Sequence, residues 1–480
     1  MTMFNPRRLI HIICIYFLIQ TSSVLQAESF YQRFEAIWEA ANPKQRYQFL
    51  YDLPKGGDLH NHFPGTSIPE WILAVLQNPE RTGGDTFWTR MRFASPLDAI
   101  APAARCHTIR NHTYKKLPPA VQAEYVRIDQ LTEAEEIEWC NAFRLDAEGE
   151  GRDEFFGVIW TRFGDIFENV YFRLELLEDN IKAFAAEGLR YWEPQFGPQD
   201  LTTNEGEPIS IEDGVAMIRE RLAKPEIVET GMVSRFQKTI FRYAPHAEEM
   251  TRDLYEFVDA YRDLWVGLNM AGIEEKGKGY PARFLETLRE LRSEYPGLPL
   301  AFHAGEMDSP DRNVRDTLLL GATRIGHGLN ILGDPDTLLL LQMSDRVLIE
   351  TNLISNQLLE YVSDLEDHPF PEILRTGIPT CLNTDDRGMW DTNMTDEYYA
   401  AMKYYNLSWS ELTLLGRYSL QYAFVEEPVK SELLEDYENR LSAFKARYSK
   451  GTVEDALETI DAVPAVTYGY ARRNWGISFD

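Results

Sequence analysis

The stretch Leu298-Pro-Leu-Ala-Phe-His303-Ala-Gly-Glu306 joins a short apolar run directly to a histidine and a carboxylate. An apolar run of this length is typical of a strand that is buried on both faces. The polar pair follows at its C-terminal end, where the strands of a parallel barrel present catalytic side chains. Arg324-Ile-Gly-His327 repeats the arrangement one unit later along the chain. The stretch therefore predicts a parallel α/β sheet with functional groups along one edge.

Outward from this stretch, short apolar runs alternate with longer helical segments. The runs are Gly56–Phe63, Leu189–Gln195, Trp265–Ala271, Leu298–His303, Thr323–His327, Val347–Thr351 and Ile378–Asn383. The helical segments between them include Val170–Ala186, Thr251–Trp265, Pro281–Glu294 and Asp336–Met343. Strand–helix repeats over this length favour a closed (β/α)8 TIM barrel. An open doubly wound sheet is the alternative, but no Gly-x-Gly-x-x-Gly motif follows any of the runs.

One segment interrupts the repeat. Residues 55–480 are predicted to form the barrel, but 78–155 are rich in polar residues, Pro and Gly and do not repeat the strand–helix unit. Barrel loops on the catalytic face tolerate long insertions. The segment is therefore predicted to be an inserted subdomain that follows the first strand.

Residues 28–54 are predicted to form a helical extension in front of the barrel. Within it, 28–50 are predicted as one amphipathic helix, because aromatic and aliphatic residues recur at helical spacing, namely Phe30, Phe34, Ile37 and Trp38. Its role is either packing against the barrel or a dimer contact.

The first 27 residues have the pattern of a secretory signal. Arg7 and Arg8 precede the apolar run Leu9–Ile19, and a polar stretch then leads to Ala27. The eleven residues of this run are too few to span a bilayer, which needs about 20. Leu25 is a poor residue for the −3 position, so an uncleaved short anchor is the alternative. The pattern predicts a secreted or periplasmic protein.

The chain is strongly acidic, with a net charge of −28 over 480 residues. Removal of residues 1–27 takes away two arginines and no acidic residue, so the charge becomes −30. Nucleic-acid affinity comes largely from Lys and Arg that replace counterions along the phosphates. The charge therefore argues against nucleic acid and anionic membranes as partners. It favours a small ligand.

Three cysteines remain after the signal. Cys106 and Cys140 lie in the same irregular region and could pair, whereas Cys381 lies in an apolar run and is predicted to pack as a small hydrophobe. No Cys-x-x-Cys occurs, which excludes a structural zinc ribbon and a zinc site of the cytidine-deaminase type.

The histidines indicate a catalytic metal site. His60 and His62 stand two residues apart on a predicted strand, so their side chains project from the same face. His303, His327 and the pair Asp385–Asp386 end three later strands, and all these ends meet at one rim of a barrel. Three His and a carboxylate with an open position form a catalytic zinc inventory, since zinc lowers the pKa of its water to about 7. A second carboxylic acid nearby, such as Glu306, could protonate the group under attack.

These motifs resemble the adenosine deaminase family of the amidohydrolases, and most closely its secreted growth-factor-related subgroup and bacterial relatives of it. The resemblance covers about 55–63 and 167–434. It rests on Lys55-Gly-Gly-Asp-Leu-His-Asn-His62, Tyr191-Trp-Glu-Pro-Gln195, Val266-Gly-Leu-Asn-Met-Ala-Gly272, His303-Ala-Gly-Glu306, Arg324-Ile-Gly-His327-Gly328, Asn352-Leu-Ile-Ser-Asn356 and Asn383-Thr-Asp-Asp386.

The resemblance implies a role for each matching residue. The ligands of a single zinc ion would be His60, His62, His303 and Asp385. Glu306 would protonate purine N1, and His327 would orient the zinc hydroxide and help to deprotonate it. Asp386 would hydrogen-bond purine N7, while the backbone N–H of Gly272 would meet N3.

The implied activity is that of an exported zinc-dependent hydrolytic deaminase. Zinc-hydroxide attack at C6 would convert adenosine, and 2′-deoxyadenosine, to the inosine product and ammonia. One alternative is another amine-bearing purine or ring on the same zinc site. Another is an extracellular growth-factor-like binding protein whose 78–155 insertion contacts a receptor. By resemblance to the secreted subgroup, a homodimer is also expected.

The sequence departs from the family pattern at several positions. Pro64 stands where an acidic residue commonly helps to hold the ribose, Asn269 replaces a frequent Asp, and Gln195 a frequent Arg. Arg387 follows the two Asp where Pro is common. AMP is disfavoured, because no Arg/Lys cluster lies near these motifs in the sequence. The aromatic residues of Phe155–Phe163 could line the substrate pocket, but a role in a core or in the inserted subdomain is favoured.

Overall fold

Alternating buried strands and outer helices dominate the computed structural model, which describes residues 30–91, 108–147, 149–274, 279–307 and 312–479. The predicted signal, at residues 1–27, lies outside the described residues. Among the helices that are described, none combines the length and the apolar composition needed to cross a membrane.

Eight parallel strands form the central sheet and are labelled β1 to β8 in chain order. They are Gly56–Asp58, Leu189–Trp192, Phe236–Phe241, Trp265–Ala271, Leu300–Ala304, Arg324–His327, Leu348–Thr351 and Thr380–Leu382. A short strand, Val233–Ser234, precedes β3 and pairs with β2.

Consecutive strands are paired from β3 to β8, and β1 pairs with β2. Single bridges close the ring, since Asn61 pairs with Asp385 and Gln195 pairs with both His62 and Gln237. The predicted (β/α)8 barrel is therefore confirmed, and the ends of β1 and β8 are neighbours.

Helices surround the barrel and extend beyond it at the C-terminus. The longer ones are Pro43–Asp52, Pro69–Leu76, Glu133–Asn141, Val170–Ala186, Ile211–Leu222, Ala247–Ala260, Leu285–Glu294, Asn313–Leu320, Pro335–Gln342, Met394–Tyr405, Trp409–Gln421, Glu427–Tyr448, Val453–Asp461 and Gly469–Trp475. Short helical turns occupy Phe63–Thr66, Asn111–Tyr114, Pro119–Gln122, Ile128–Gln130, Arg152–Glu154, Phe155–Ile159, Trp160–Arg162, Ile166–Glu168, Pro225–Val228, Pro281–Phe284, Leu329–Gly333, Leu353–Leu358, Leu365–Asp367, Phe370–Arg375 and Arg387–Trp390.

The third strand was missed by the sequence analysis. Its residues, Phe236-Gln-Lys-Thr-Ile-Phe241, include three consecutive polar side chains and so do not form an apolar run. Gln237 lies on the inner face, where it is fully buried and donates a hydrogen bond to Glu193 at 2.8 Å. Strand β3 is thus held inside the barrel by a polar network, so the apolar run that marks the other strands in the sequence is absent here.

The N-terminal extension contains two helices rather than the single predicted one. The first covers residues 30–40, and the second begins at Pro43. Asn42 caps the second helix through a reciprocal pair of hydrogen bonds with Gln45, and Pro43 favours a new first turn over continuation. Phe30 and Phe34 are buried against Trp409, with ring centroids 4.8 and 5.2 Å apart. This face of the extension therefore packs within its own chain.

The segment between β1 and β2 carries a small antiparallel sheet, made of Phe87–Thr89, Thr108–Arg110 and Val126–Arg127. It has an apolar cluster of its own, formed by Ile109, Leu117, Val121 and Tyr125. Among the described residues Cys140 is buried as a free thiol, and Cys106 lies outside them. Cys381 is buried in the barrel core, as predicted.

Candidate metal centre and active site

The four side chains assigned to a metal meet at the C-terminal rim of the barrel. His60 and His62 follow β1, His303 lies near the end of β5, and Asp385 follows β8. Nε2 of His62 lies 3.3 Å from Oδ1 of Asp385 and 3.3 Å from Nε2 of His303. Nε2 of His60 lies 3.5 Å from the same Asp385 oxygen. Three imidazole nitrogens and one carboxylate oxygen therefore converge on a common centre.

A buried ionic network beneath this centre orients His60. Its Nδ1–H donates to Glu350 at 2.8 Å, which leaves the lone pair of Nε2 directed at the centre. Glu350 also pairs with Arg324 at 2.6 Å, and Arg324 reaches Glu193 at 2.7 Å. All four side chains are fully buried, so their charges are satisfied within the barrel.

Two further contacts hold the other ligands. The Nδ1–H of His303 donates to Oδ1 of Asn269 at 2.9 Å, so Asn269 fills the position of a family Asp and still accepts the ring hydrogen. The hydroxyl of Ser355 donates to Oδ2 of Asp385 at 2.6 Å, which leaves Oδ1 for the centre. Such outer contacts fix the orientation of metal ligands.

The arrangement fits a zinc ion. Nε2 of His60 and Oδ1 of Asp385 are buried and have no hydrogen-bond partner among the described residues. Burial of unpaired polar atoms is costly, and a shared cation would satisfy both. Three His nitrogens and one carboxylate oxygen are ligands that zinc prefers, and a fifth position that stays open suits catalysis. Burial, followed by the charges of neighbouring His, lowers the pKa of His303 well below its usual value, so this ring is neutral and able to ligate.

A rival ligand set would replace His62 by His327, because one ligand atom each of His60, His303, His327 and Asp385 lies within 4.8 Å of the others. Hydrogen-bond directions argue against this set. The backbone N–H of Phe370 donates to Nδ1 of His368 at 3.0 Å, so the hydrogen of His368 is on Nε2.

That hydrogen is donated to Oδ1 of Asn356 at 3.0 Å, and the Asn356 amide donates in turn to Nδ1 of His327 at 2.9 Å. Burial lowers the pKa of His327 well below its usual value, so the ring is neutral and carries its hydrogen on Nε2. A ring with one nitrogen occupied and the other protonated offers no lone pair to a metal. His327 instead directs its Nε2–H into the cavity. This favours its expected role in orienting the attacking water over a role in removing a proton from that water.

Glu306 lies just beyond β5, with its Oε2 3.6 Å from Nε2 of His327. Burial raises its pKa well above the usual value, and the charges of Asp385 and Glu274 act in the same direction. This shift favours the protonated form of Glu306. Its position is set by Glu274, whose carboxylate accepts the backbone N–H groups of Gly305 at 3.1 Å and Glu306 at 2.9 Å.

Asp386 and Gly272 line the same cavity as Glu306 and His327. Asp386 is buried, and its Oδ1 has no hydrogen-bond partner among the described residues. A Cβ at Gly65 would lie 1.8 Å from that oxygen, so only glycine leaves room for it. Gly272 ends β4 with φ 101°, a conformation that favours glycine, and a Cβ there would lie 2.5 Å from the Tyr243 ring.

One cavity of about 740 Å³ contains these groups. Its wall includes Phe155, Phe156 and Trp160, so part of this aromatic segment takes the pocket-lining alternative, while Ile159 and Phe163 are buried in the core. A π-helical turn at Phe155–Ile159 brings the segment to the rim, and the Trp160 ring lies 6.3 Å from that of His62. Sequence periodicity could not indicate this, because an aromatic run looks the same in a core and in an apolar pocket.

The structure also shows where the other residues that depart from the family pattern lie. Pro64 and Gln195 line the cavity, and Gln195 accepts a hydrogen bond from Thr239 at 2.5 Å. Arg387 is not part of the lining. It is fully buried and pairs with Glu187 at 2.8 Å, so it stabilises the loop after β8 from behind.

The remaining described histidines lie outside the proposed ligand set. His368 precedes the helical turn Phe370–Arg375, is buried and orients Asn356 as described above. His112 lies 3.8 Å from Asp165 and near Glu168. His107 lies outside the described residues, and His246 is exposed.

Sequence reasoning missed three polar residues of the site. Glu274 stands two residues beyond Gly272, and this strand-end position was a usable signal. Arg173 and Lys238 line the cavity but come from a helix and from the unrecognised strand β3, and no motif marks them.

Comparison with known proteins agrees with this geometry. Residues 169–440, more than half of the chain, match the family model described as adenosine deaminase. The chain is 31% identical over 246 residues to an adenosine deaminase of Enterococcus faecalis, which covers 47% of this chain and 71% of that protein.

Solved structures share the fold at low sequence identity. An Arabidopsis N6-mAMP deaminase is 20% identical with a TM-score of 0.57, covering 81% of this chain and 99% of the other. An amidohydrolase of Burkholderia ambifaria with bound Zn is 17% identical with a TM-score of 0.56, covering 84% and 95%. The chain therefore belongs to the adenosine deaminase family and is a zinc-dependent hydrolytic deaminase that acts on a carbon–nitrogen bond.

Proposed function

We propose that the protein hydrolyses adenosine, and 2′-deoxyadenosine, at C6 of the purine, releasing ammonia and the corresponding inosine. The observation that carries the proposal is the shared cavity. A protonated carboxylic acid, a ring N–H donor and a set of metal ligands line one space of about 740 Å³. This is the inventory that hydrolysis of an aromatic amine needs.

We propose that one zinc ion is held by His60, His62, His303 and Asp385. Their converging atoms and the contacts behind them support this set. When bound, zinc lowers the pKa of a coordinated water to about 7 and so supplies hydroxide at neutral pH.

The chain's own residues would then act on the purine. Glu306 donates its proton to N1, which makes C6 electrophilic. The raised pKa of Glu306 keeps that proton available at neutral pH. The Nε2–H of His327 orients the attacking water towards C6. The exocyclic amine leaves as ammonia, so one water is consumed for each molecule of product.

Asp386 and Gly272 would hold the ring in place. Burial raises the pKa of Asp386 well above the usual value, and the charge of Asp385 adds to this, so Asp386 carries a proton that it can donate to N7. The backbone N–H of Gly272, at the end of β4, is proposed to donate to N3. Pro64 offers no carboxylate to bind the ribose. The aromatic side chains of Phe155, Phe156 and Trp160 would therefore contact the ribose through their rings instead.

The proposal is tested with purified, zinc-loaded protein and adenosine, 2′-deoxyadenosine and adenine, by following the ultraviolet absorbance change and ammonia release. Adenosine is expected to show the highest kcat/KM, with 2′-deoxyadenosine close to it. The metal-stripped protein is the control. Turnover of adenine in preference to both nucleosides would contradict the assigned substrate.

We also propose that the protein is exported by its first 27 residues. Arg7, Arg8 and the apolar run after them support this. N-terminal sequencing of protein from the medium or periplasm of the expressing cells would test it. Recovery of the full chain from the cytoplasm alone would contradict it.

We further propose that the protein forms a homodimer, as the resemblance to the secreted subgroup implies. The elution volume of the purified protein in size-exclusion chromatography would test this.

A further inference from the structure

The substrate cavity has a second, cationic end. Arg173 and Lys238 line the same cavity as Glu306, although no Arg/Lys cluster is visible near the motifs in the sequence. Arg173 comes from the helix Val170–Ala186, and Lys238 lies on β3. The fold brings the two together.

Arg173 is held by hydrogen bonds to the backbone, and the acidic groups that act on its charge, Asp200 and Glu168, lie beyond ion-pair distance. Its guanidinium donates to three backbone carbonyls, those of Phe167 at 2.6 Å, Gly197 at 2.8 Å and Gln199 at 3.1 Å. Among the described residues no carboxylate lies within 4.0 Å of the Arg173 guanidinium. Carbonyls satisfy hydrogen bonds but carry no net charge, so a fixed positive charge remains at this end of the cavity.

Lys238 adds a second charge beside it. A Cβ at Gly197 would lie 2.4 Å from Nζ of Lys238 and 2.4 Å from Oε1 of Gln199, so the ammonium group lies directly over this glycine. No carboxylate of the described chain lies within 4.0 Å of that nitrogen. Burial lowers the pKa of Lys238 to about 8, and the Arg173 charge acts in the same direction, so most of the ammonium is still protonated at pH 7.

The two ends of the cavity share one wall. Gln195 bridges the backbone at His62 on one side and at Gln237, next to Lys238, on the other. Thr239 hydrogen-bonds the Gln195 side chain and also faces the cavity. A ligand bound near His62 can therefore extend along this wall to the cationic end.

We propose that Arg173 and Lys238 form an anion subsite of the substrate cavity, which binds the phosphate of a purine nucleoside 5′-monophosphate. The inference rests on the proposed function, since the base of that nucleotide would lie against Glu306. A guanidinium and an ammonium are the groups that proteins use to bind phosphate. Asp200 is the carboxylate that lines this end, and it is exposed to solvent, where its repulsion is screened.

The test compares two substrates in one protein. The zinc-loaded wild type is expected to deaminate both adenosine 5′-monophosphate and adenosine. In Lys238→Met, the ratio of kcat/KM for the nucleotide to kcat/KM for the nucleoside should fall about tenfold, the effect of losing one charge-assisted contact. Lys182→Met removes a lysine charge from the outer side of the same Arg173 helix, and there the ratio should not change.

Gly197→Ala is a second variant that keeps every charge. Its methyl group would displace the Lys238 ammonium, so the ratio should fall here as well. Binding of inorganic phosphate, measured by calorimetry, adds a readout that needs no turnover. The wild type should bind phosphate more tightly than either variant.

The outcomes separate the two proposals. The anion subsite is overturned if the ratio is unchanged in Lys238→Met. It is also overturned if the wild type deaminates adenosine but not adenosine 5′-monophosphate. Neither result contradicts the proposed activity on the nucleoside. Absence of turnover with both substrates overturns the proposed function. Phosphate binding that Lys238→Met weakens would still support the subsite in that case, and phosphate binding equal in all variants would overturn it.

Discussion

The carboxylate of Glu274 accepts the backbone N–H of Glu306 at 2.9 Å, and through this bond the loop after β4 fixes the acid that follows β5. The same carboxylate accepts the N–H of Gly305 and pairs with Arg242 at 3.3 Å. Glu274 does not need to touch the substrate. We propose that it is a positioning residue for Glu306, the proposed proton donor.

Replacement of Glu274 by Gln should lower kcat roughly tenfold to a hundredfold and affect KM less. The amide can accept only one of the two backbone N–H groups, so Glu306 shifts from its place, and small displacements of catalytic groups are costly. Steady-state kinetics would measure the split. Glu286→Gln, at an exposed position of the helix Leu285–Glu294, is the matched control, and an equal loss there would refute the positioning role.

The same variant should shift the pH profile. Glu306 acts in its protonated form, so activity is lost as pH rises through its pKa. The charge of Glu274 helps to raise that pKa, and its removal should lower it. The alkaline limb of kcat should therefore move to lower pH in Glu274→Gln. A limb that stays in place or moves to higher pH would contradict the assignment.

Replacement of Glu306 by Gln should reduce kcat by about 10²–10⁴, the usual contribution of a general acid, because the amide cannot supply the proton to N1. Zinc content should stay at the wild-type level, since Glu306 is not a proposed ligand. Turnover at the wild-type rate would show that another group protonates the ring.

Replacement of His303 by Ala should weaken zinc binding by more than the roughly 10–100-fold that loss of an outer contact causes. Metal analysis after dialysis would measure zinc per chain. His246→Ala, which changes an exposed histidine away from the rim, should keep wild-type zinc. If the two variants hold equal amounts of metal, His303 is not a ligand.

Replacement of Arg324 by Gln should lower the free energy of unfolding by about 3–5 kcal/mol, because Glu193 and Glu350 would remain buried without their cation. Denaturation in urea of zinc-loaded protein would measure the change. Arg346→Gln removes an exposed arginine charge near the next strand and should cost little. Similar values for both variants would mean that the buried carboxylates are neutralised in another way.

The barrel and the site residues were predictable because both depend on local patterns. The buried strands β5 and β8 are mostly apolar, and β6 is a short buried strand that ends at His327. A polar residue of the site lies at or just beyond the end of each. Since parallel strands end at one rim, the sequence order of His303, His327 and Asp385 was enough to predict that they meet. The contacts behind them, such as Asn269 with His303, link different strands and leave no local pattern.

Other features depended on tertiary context. Strand β3 contains the consecutive polar residues Gln237, Lys238 and Thr239. Gln237 belongs to a polar network inside the barrel, and no apolar run marks such a strand in the sequence. The helix breaks at Asn42 because the capping hydrogen bonds there override the helical hydrophobic pattern. The cationic end of the cavity joins Arg173 to Lys238 across two elements, so only the fold could reveal it.

The central claim is that one zinc ion per chain, held by the three His and Asp385, supports deamination of adenosine. The most direct measurement adds zinc back to metal-stripped protein and follows ammonia released from adenosine. Activity should be absent at the start, rise in proportion to added zinc and level off at one zinc per chain. Full activity in the stripped protein, or a rise that continues to two zinc ions per chain, would contradict the claim.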